Sequence, residues 1–133
     1  MLLSANLLND VVDVNHFSVA DQLEAMEGDT VQVYFQLVDR SVSWDCSPPG
    51  RRYIPQVGAT VVVVLRSIDS GLTLTKTCTQ PYVNDLSIWT FSIAATESLP
   101  GTRSLKLTLT EGLVVTNGLV EQAIVVAPLS GEF

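Results

Sequence analysis

The chain is poor in the residues that do chemistry. It has one histidine, His16, and two cysteines, Cys46 and Cys78, in 133 residues. Nucleophilic catalysis needs a nucleophile, a base and a group that orients the base. A lone His between Asn15 and Phe17 supplies no such set. A zinc site needs several His, Cys or carboxylate ligands at close spacing, and none is visible. The acids at Asp10, Asp13, Asp21, Glu24, Glu27 and Asp29 lack the alternating oxygen ligands and the glycine of a calcium loop. Glycine-rich phosphate loops are also missing. No catalytic residue, metal or cofactor is expected.

Basic residues are equally scarce. Lys and Arg number 7 against 14 Asp and Glu, for a net charge of −7. A nucleic-acid binder needs a basic stripe to displace counterions from phosphates, so no nucleic-acid partner is expected. Anionic membrane surfaces are disfavoured for the same reason. No apolar run reaches the roughly 20 residues of a membrane helix. The opening MLLSANLL carries no Lys or Arg before its leucines, which makes a poor signal peptide, so synthesis in the cytoplasm is expected. Two cysteines make no disulfide framework. Cys78 alternates in phase with Leu72 and Leu74 and reads as a buried thiol.

What the chain has is alternation. Residues are 47% hydrophobic and only 16% charged, with mean hydropathy +0.33. That implies a generous core or a surface covered by a partner. After Glu27-Gly28-Asp29, Val31, Val33, Phe35 and Leu37 alternate with Gln32, Tyr34 and Gln36, as a strand with one buried face requires. Leu23–Met26 and Thr30–Val38 read as a hairpin across that turn. Ala59–Ile68 is β-branched and nearly continuous, so a central strand is expected. Asp69-Ser70-Gly71 then turns the chain into Leu72–Gln80, with Thr73, Thr75, Thr77 and Thr79 on its outer face. Leu86–Ala95 places Trp89, Phe91 and Ile93 on one side. Trp89 reads as the central aromatic, whose indole N–H needs a partner. Leu105, Leu107 and Leu109 alternate in the next strand. Glu111-Gly112 and Asn117-Gly118 read as turns before a last strand, Val120–Ala127. The expected fold is all-β: an immunoglobulin-like antiparallel β-sandwich of about seven strands.

Two segments stand outside this rhythm. Residues 1–17 fit neither strand nor helix period cleanly. Leu2, Leu3, Leu7, Leu8, Val11 and Val12 make them a sticky N-terminal arm that packs on a partner or along the domain; the other reading is a plain first strand over Val11–Val19. The sandwich domain would then span 18–133. The stretch 39–58 reads as a long loop with three of the six prolines. Loops of that length usually carry function. Trp44, Arg51, Arg52 and Tyr53 are of the types that anchor interfaces, so with the arm they form the expected protein-binding set.

The punctuation Gly28-Asp29-Thr30, Gly58-Ala59-Thr60 and Leu99-Pro100-Gly101, with its spacing, resembles the immunoglobulin-like domains of tailed-bacteriophage structural proteins. It is most similar to the N-terminal domain of phage baseplate upper proteins. The resemblance covers roughly residues 20–127. It implies a virion structural accessory protein, synthesised in the host cytoplasm, that joins a tail, baseplate or neck. Its partners would be other virion structural proteins or further copies of itself in a symmetric assembly. Capsid head decoration is the alternative placement. A carbohydrate-binding module, using Trp44, Tyr53 and Tyr82, is the alternative of another class.

Overall fold

The computed structural model describes residues 1–13, 15–42 and 51–129. The chain is all-β, with two five-stranded sheets and no α-helix among the described residues. The first sheet holds β1 (Leu3–Asp13), β2 (His16–Ala20), β4 (Val31–Asp39), β5 (Arg51–Arg52) and β8 (Ile88–Ile93). The second holds β3 (Leu23–Met26), β10 (Val114–Ala127), β9 (Gly101–Glu111), β6 (Thr60–Ser67) and β7 (Thr73–Thr77), paired in that order. The described residues hold ten strands, where the sequence led to an expectation of about seven.

Alternation builds the core as the sequence implied. Val33, Phe35 and Leu37 of β4, Val61, Val63 and Leu65 of β6, and Leu105, Leu107 and Leu109 of β9 are fully buried in one cluster. Trp89, Phe91 and Ile93 of β8 join them, and Phe91 tilts against Phe35 with ring centroids 6.1 Å apart. β6 is an interior strand, with β7 on one side and β9 on the other. Cys78 is a buried free thiol. It also marks a change of sheet. Its N–H donates to the Val61 carbonyl in the second sheet, while Thr79 exchanges backbone bonds with Thr90 in the first.

Three expectations need correction. The first is the arm. Leu3–Asp13 is an interior strand, paired with β4 from Leu3↔Asp39 to Leu8↔Tyr34 and with β2 on its other side. Leu3, Ala5 and Leu7 enter the core. Their alternation with Ser4 and Asn6 was present in the sequence. It was masked by Leu2 and Leu8 and by a bulge, where the five residues from Asn9 to Asp13 of β1 lie opposite the three from Ser18 to His16 of β2 and Asp10 takes φ 52°.

The second is the hairpin at Glu27-Gly28-Asp29. β3 and β4 lie in different sheets. β3 runs parallel to the end of β10, from Leu23↔Ile124 to Met26↔Ala127. The turn instead carries the chain across the core. Gly28 supplies φ 86°, and the Asp29 carboxylate accepts from the Met26 N–H at 2.9 Å.

The third is Asn117-Gly118. It lies within β10, where Asn117 faces Thr108 and Gly118 faces Leu107 on β9. The turn is made earlier, at Gly112, with φ 60°. Gly118 has another use, since the Leu3 carbonyl sits directly over it.

The outer face of the first sheet is not simply wet. Leu8, Val38 and Ile88 are buried although they lie outside the main core cluster. Gln36 is buried too, and its amide donates to Ser87 Oγ. Tyr82, from the segment joining β7 to β8, stacks on Tyr34 at 6.4 Å.

Candidate assembly surface

The expected binding set disperses in three dimensions. Leu3, Leu7 and Leu8 are interior and face no partner. Val11 is half-buried, and Val12 is exposed near the tip between β1 and β2. Leu2 stays exposed at the other end of β1. Trp44 and Cys46 lie outside the described residues. Arg51 and Arg52 form the short strand β5, opposite Asp39 and Val38 of β4. The Arg52 guanidinium reaches the buried Asp85 carboxylate at 3.4 Å. Asp85 Oδ1 accepts in turn from the N–H and hydroxyl of Ser87.

Tyr53 is a brace within the domain. It is half-buried, and its hydroxyl lies 2.7 and 2.9 Å from the two carboxylate oxygens of Glu111, at the end of β9. The Gln56 N–H donates to the same carboxylate at 3.0 Å. The phenol is pushed up to about 12, first because the hydroxyl is held by Glu111 and then by burial. Of the aromatics expected for sugar stacking, Tyr53 is tied by its hydroxyl to Glu111 and Tyr82 packs one face toward Tyr34, while Trp44 lies outside the described residues.

No group of three or more His, Cys, Asp or Glu that could hold a metal exists among the described residues. His16 Nδ1 sits 2.8 Å from the Asp13 carboxylate at an exposed hairpin tip, with no nucleophile bonded to it. No helix is long and apolar enough to cross a membrane among the described residues.

The surface that stands out lies along β10, which the sequence reading divided in two. β3 covers only Ile124–Ala127. Val114–Val120 therefore pairs with β9 on one side and with no strand on the other among the described residues. A bulge separates the two halves. The five residues from Val120 to Ile124 of β10 lie opposite the three from Leu105 to Arg103 of β9, and Gln122 takes φ 50°. Leu113, Val114, Val115 and Leu119 are exposed along this half. In an antiparallel ladder alternate residues turn their N–H and C=O outward, so the open side presents unpaired backbone groups.

A groove of about 790 Å³ runs beside this edge. Leu2, Leu3, Ser4 and Arg40 bound it on one side, and the Asn117–Glu121 stretch with Lys106 bounds it on the other. Gly118 forms part of its wall because a side chain there would meet the Leu3 backbone. Among the described residues, Leu2 and the buried Leu3 are the members of the expected binding set that line this groove. The missed signal was the β-branched run Val114-Val115-Thr116, whose period continues through Asn117-Gly118 to Val120.

No family model matches the chain, and no curated protein matches it significantly.

Proposed function

We propose that this chain is a structural subunit that works by assembly, and that it serves as an accessory protein of a tailed-bacteriophage virion. The observation that carries the assembly reading is the open half of β10. It is a strand edge with exposed apolar side chains, set beside a largely apolar groove. Proteins normally shield such edges with charge, proline, bulges or short length. An edge left unshielded is suited to pairing with another chain. The surface differs from the arm and loop expected from sequence, but the mode of action is the same.

The immunoglobulin-like reading is supported by the strand arrangement. β4 pairs with β8 in one sheet, and β6 pairs with β9 and β9 with β10 in the other. The chain thus alternates between sheets in the manner of a Greek key. β1 and β2 add a hairpin to that plan. Placement in the tail, baseplate or neck rests on the resemblance in turn punctuation, with head decoration as the alternative position.

Quantitative peptide mass spectrometry on purified particles of the encoding phage tests the virion reading. Roughly six to a few dozen copies per particle place the chain in the tail, baseplate or neck, as symmetric repetition of a few rings requires. Hundreds of copies make it a head decoration protein. Absence from particles overturns the virion reading.

A further inference from the structure

The other sheet edges of this protein carry some form of shielding. β2 and β3 have five and four residues. β7 bears Lys76, whose ammonium is held 2.6 Å from Glu97. β8 is bridged by Thr79. The open half of β10 has no charge, proline or paired strand on its free side among the described residues, and the start of β1 lies against it at Gly118. From Leu113 to Val120 there is no charged residue and no proline, in a chain of net charge −7. At seven residues, Val114–Val120 extends roughly 23 Å.

We propose that Val114–Val120 pairs antiparallel with the same segment of a second copy of this chain, about a two-fold axis through Asn117. This names the partner for the assembly surface described above and rests on that reading of it. The two second sheets would join into one continuous sheet.

Three observations favour a second copy. The first is charge. The chain carries a net charge of −7, so two copies repel overall, whereas this segment itself brings no like charges together. The second is self-complementarity. An isologous contact makes each pairing twice. A two-fold at Asn117 sets Val115 opposite Leu119 of the second copy on the outer face, and these residues are 57% and 52% exposed. On the inner face it sets Thr116 opposite Gly118, which carries no side chain of its own and lies against Leu3. The third is the boundary. The turn at Gly112 and the bulge at Gln122 end the free edge on either side, so slipped registers lose pairs. The groove beside Leu2 and Ser4 gives the added strand its room.

Analytical ultracentrifugation of the full chain tests this. The wild type is expected to sediment at twice the 14.4 kDa chain mass. Val115→Glu with Leu119→Glu opposes carboxylates across the axis, and the dissociation constant should rise at least ~10-fold. Val115→Glu with Leu119→Lys sets each new carboxylate against a new ammonium of the other copy, and the dimer should return. All three chains should melt alike as monomers, since both positions are exposed. Hydrogen exchange on the wild type gives a readout free of substitutions: amides within 114–120 should gain protection as concentration rises. A wild type that stays monomeric at hundreds of micromolar overturns the proposal. So does a dimer indifferent to the double glutamate variant, and so does failure of the charge-paired variant to restore it. A monomer in solution leaves the particle copy number untouched, so this inference and the virion reading can fail separately.

Discussion

The carbonyl oxygen of Leu3 occupies the space that a side chain at position 118 would need. A β-carbon built on Gly118 would lie 2.5 Å from that oxygen and 3.0 Å from the carbonyl carbon. The opposing atoms are backbone, at the start of a strand held by β4, so they cannot swing aside. Gly118 is thus what lets β1 of one sheet close over β10 of the other.

Gly118→Ala should therefore destabilise the domain by about 1–3 kcal/mol, the usual cost of forcing a methyl into a packed interior. Urea denaturation checks this. A neutral result would mean that β1 can lift away from β10 at little cost.

Trp89 is 3% exposed, and its indole N–H has no hydrogen-bond partner among the described residues. Trp89→Ala should cost about 3–5 kcal/mol through the cavity it leaves. Trp89→Phe removes the same unpaired donor, whose burial costs about 1–3 kcal/mol, but keeps most of the ring volume. The phenylalanine variant should therefore unfold at a midpoint well above that of the alanine variant. Equal midpoints would show that the ring volume contributes little.

Tyr53→Phe takes one donor from the buried Glu111 carboxylate and leaves the Gln56 N–H to hold it. A loss of about 1.5–3 kcal/mol is expected, the range for a hydrogen bond to a charged group. The pH dependence has a definite sign. The Tyr53 phenol lies at about 12 in the folded protein against 10.0 ordinarily, so its contribution is full below pH 10 and is lost as pH rises toward 12. Thermal melts between pH 9 and 12 should fall less steeply in Tyr53→Phe than in the wild type.

At the acid end the sign reverses. Glu97 is held below its ordinary 4.5, chiefly by the Lys76 ammonium and then by the Ala94 N–H. Its contribution is present above pH 4.5 and is lost as pH falls through the lowered value. Asp39, bonded by the Ser41 hydroxyl, acts in the same direction. Glu97→Gln should flatten part of the loss of melting temperature below pH 4.5. An unchanged acid limb would show that the Lys76–Glu97 pair does not differ between the folded and unfolded states.

The Cys78 thiol is pushed up to about 12 by burial, so it stays protonated and unreactive at neutral pH. In a Cys46→Ser background, a thiol-specific reagent should label the native protein only at the rate of unfolding, and promptly in denaturant. Fast labelling of the native state would mean that the strand crossing at Cys78 and Thr79 opens locally.

Most core positions were legible in the sequence because strand alternation is a local property. Val33, Phe35 and Leu37 had to share a face, as did Leu105, Leu107 and Leu109, whatever they packed against. The same local reading misled at Asn117-Gly118. The pair has the chemistry of a turn, and only the approach of Leu3 from the other sheet shows that its glycine is there for space. It misled again at the start of the chain, where Leu2, Leu8 and the Asp10 bulge blurred the alternation of Leu3, Ala5 and Leu7.

The sequence by itself determined that the chain is all-β, which residues form most of its interior, and how few basic residues, histidines and cysteines it carries. Those follow from side-chain period and composition. The tertiary structure alone decided that β3 pairs with β10 and not β4, that the leucine-rich start is an interior strand, and that half of β10 is left open. Strand pairing joins residues as far apart as Leu23 and Ile124. A side-chain period shows which face of a strand is buried, but carries no information about which strand lies beside it.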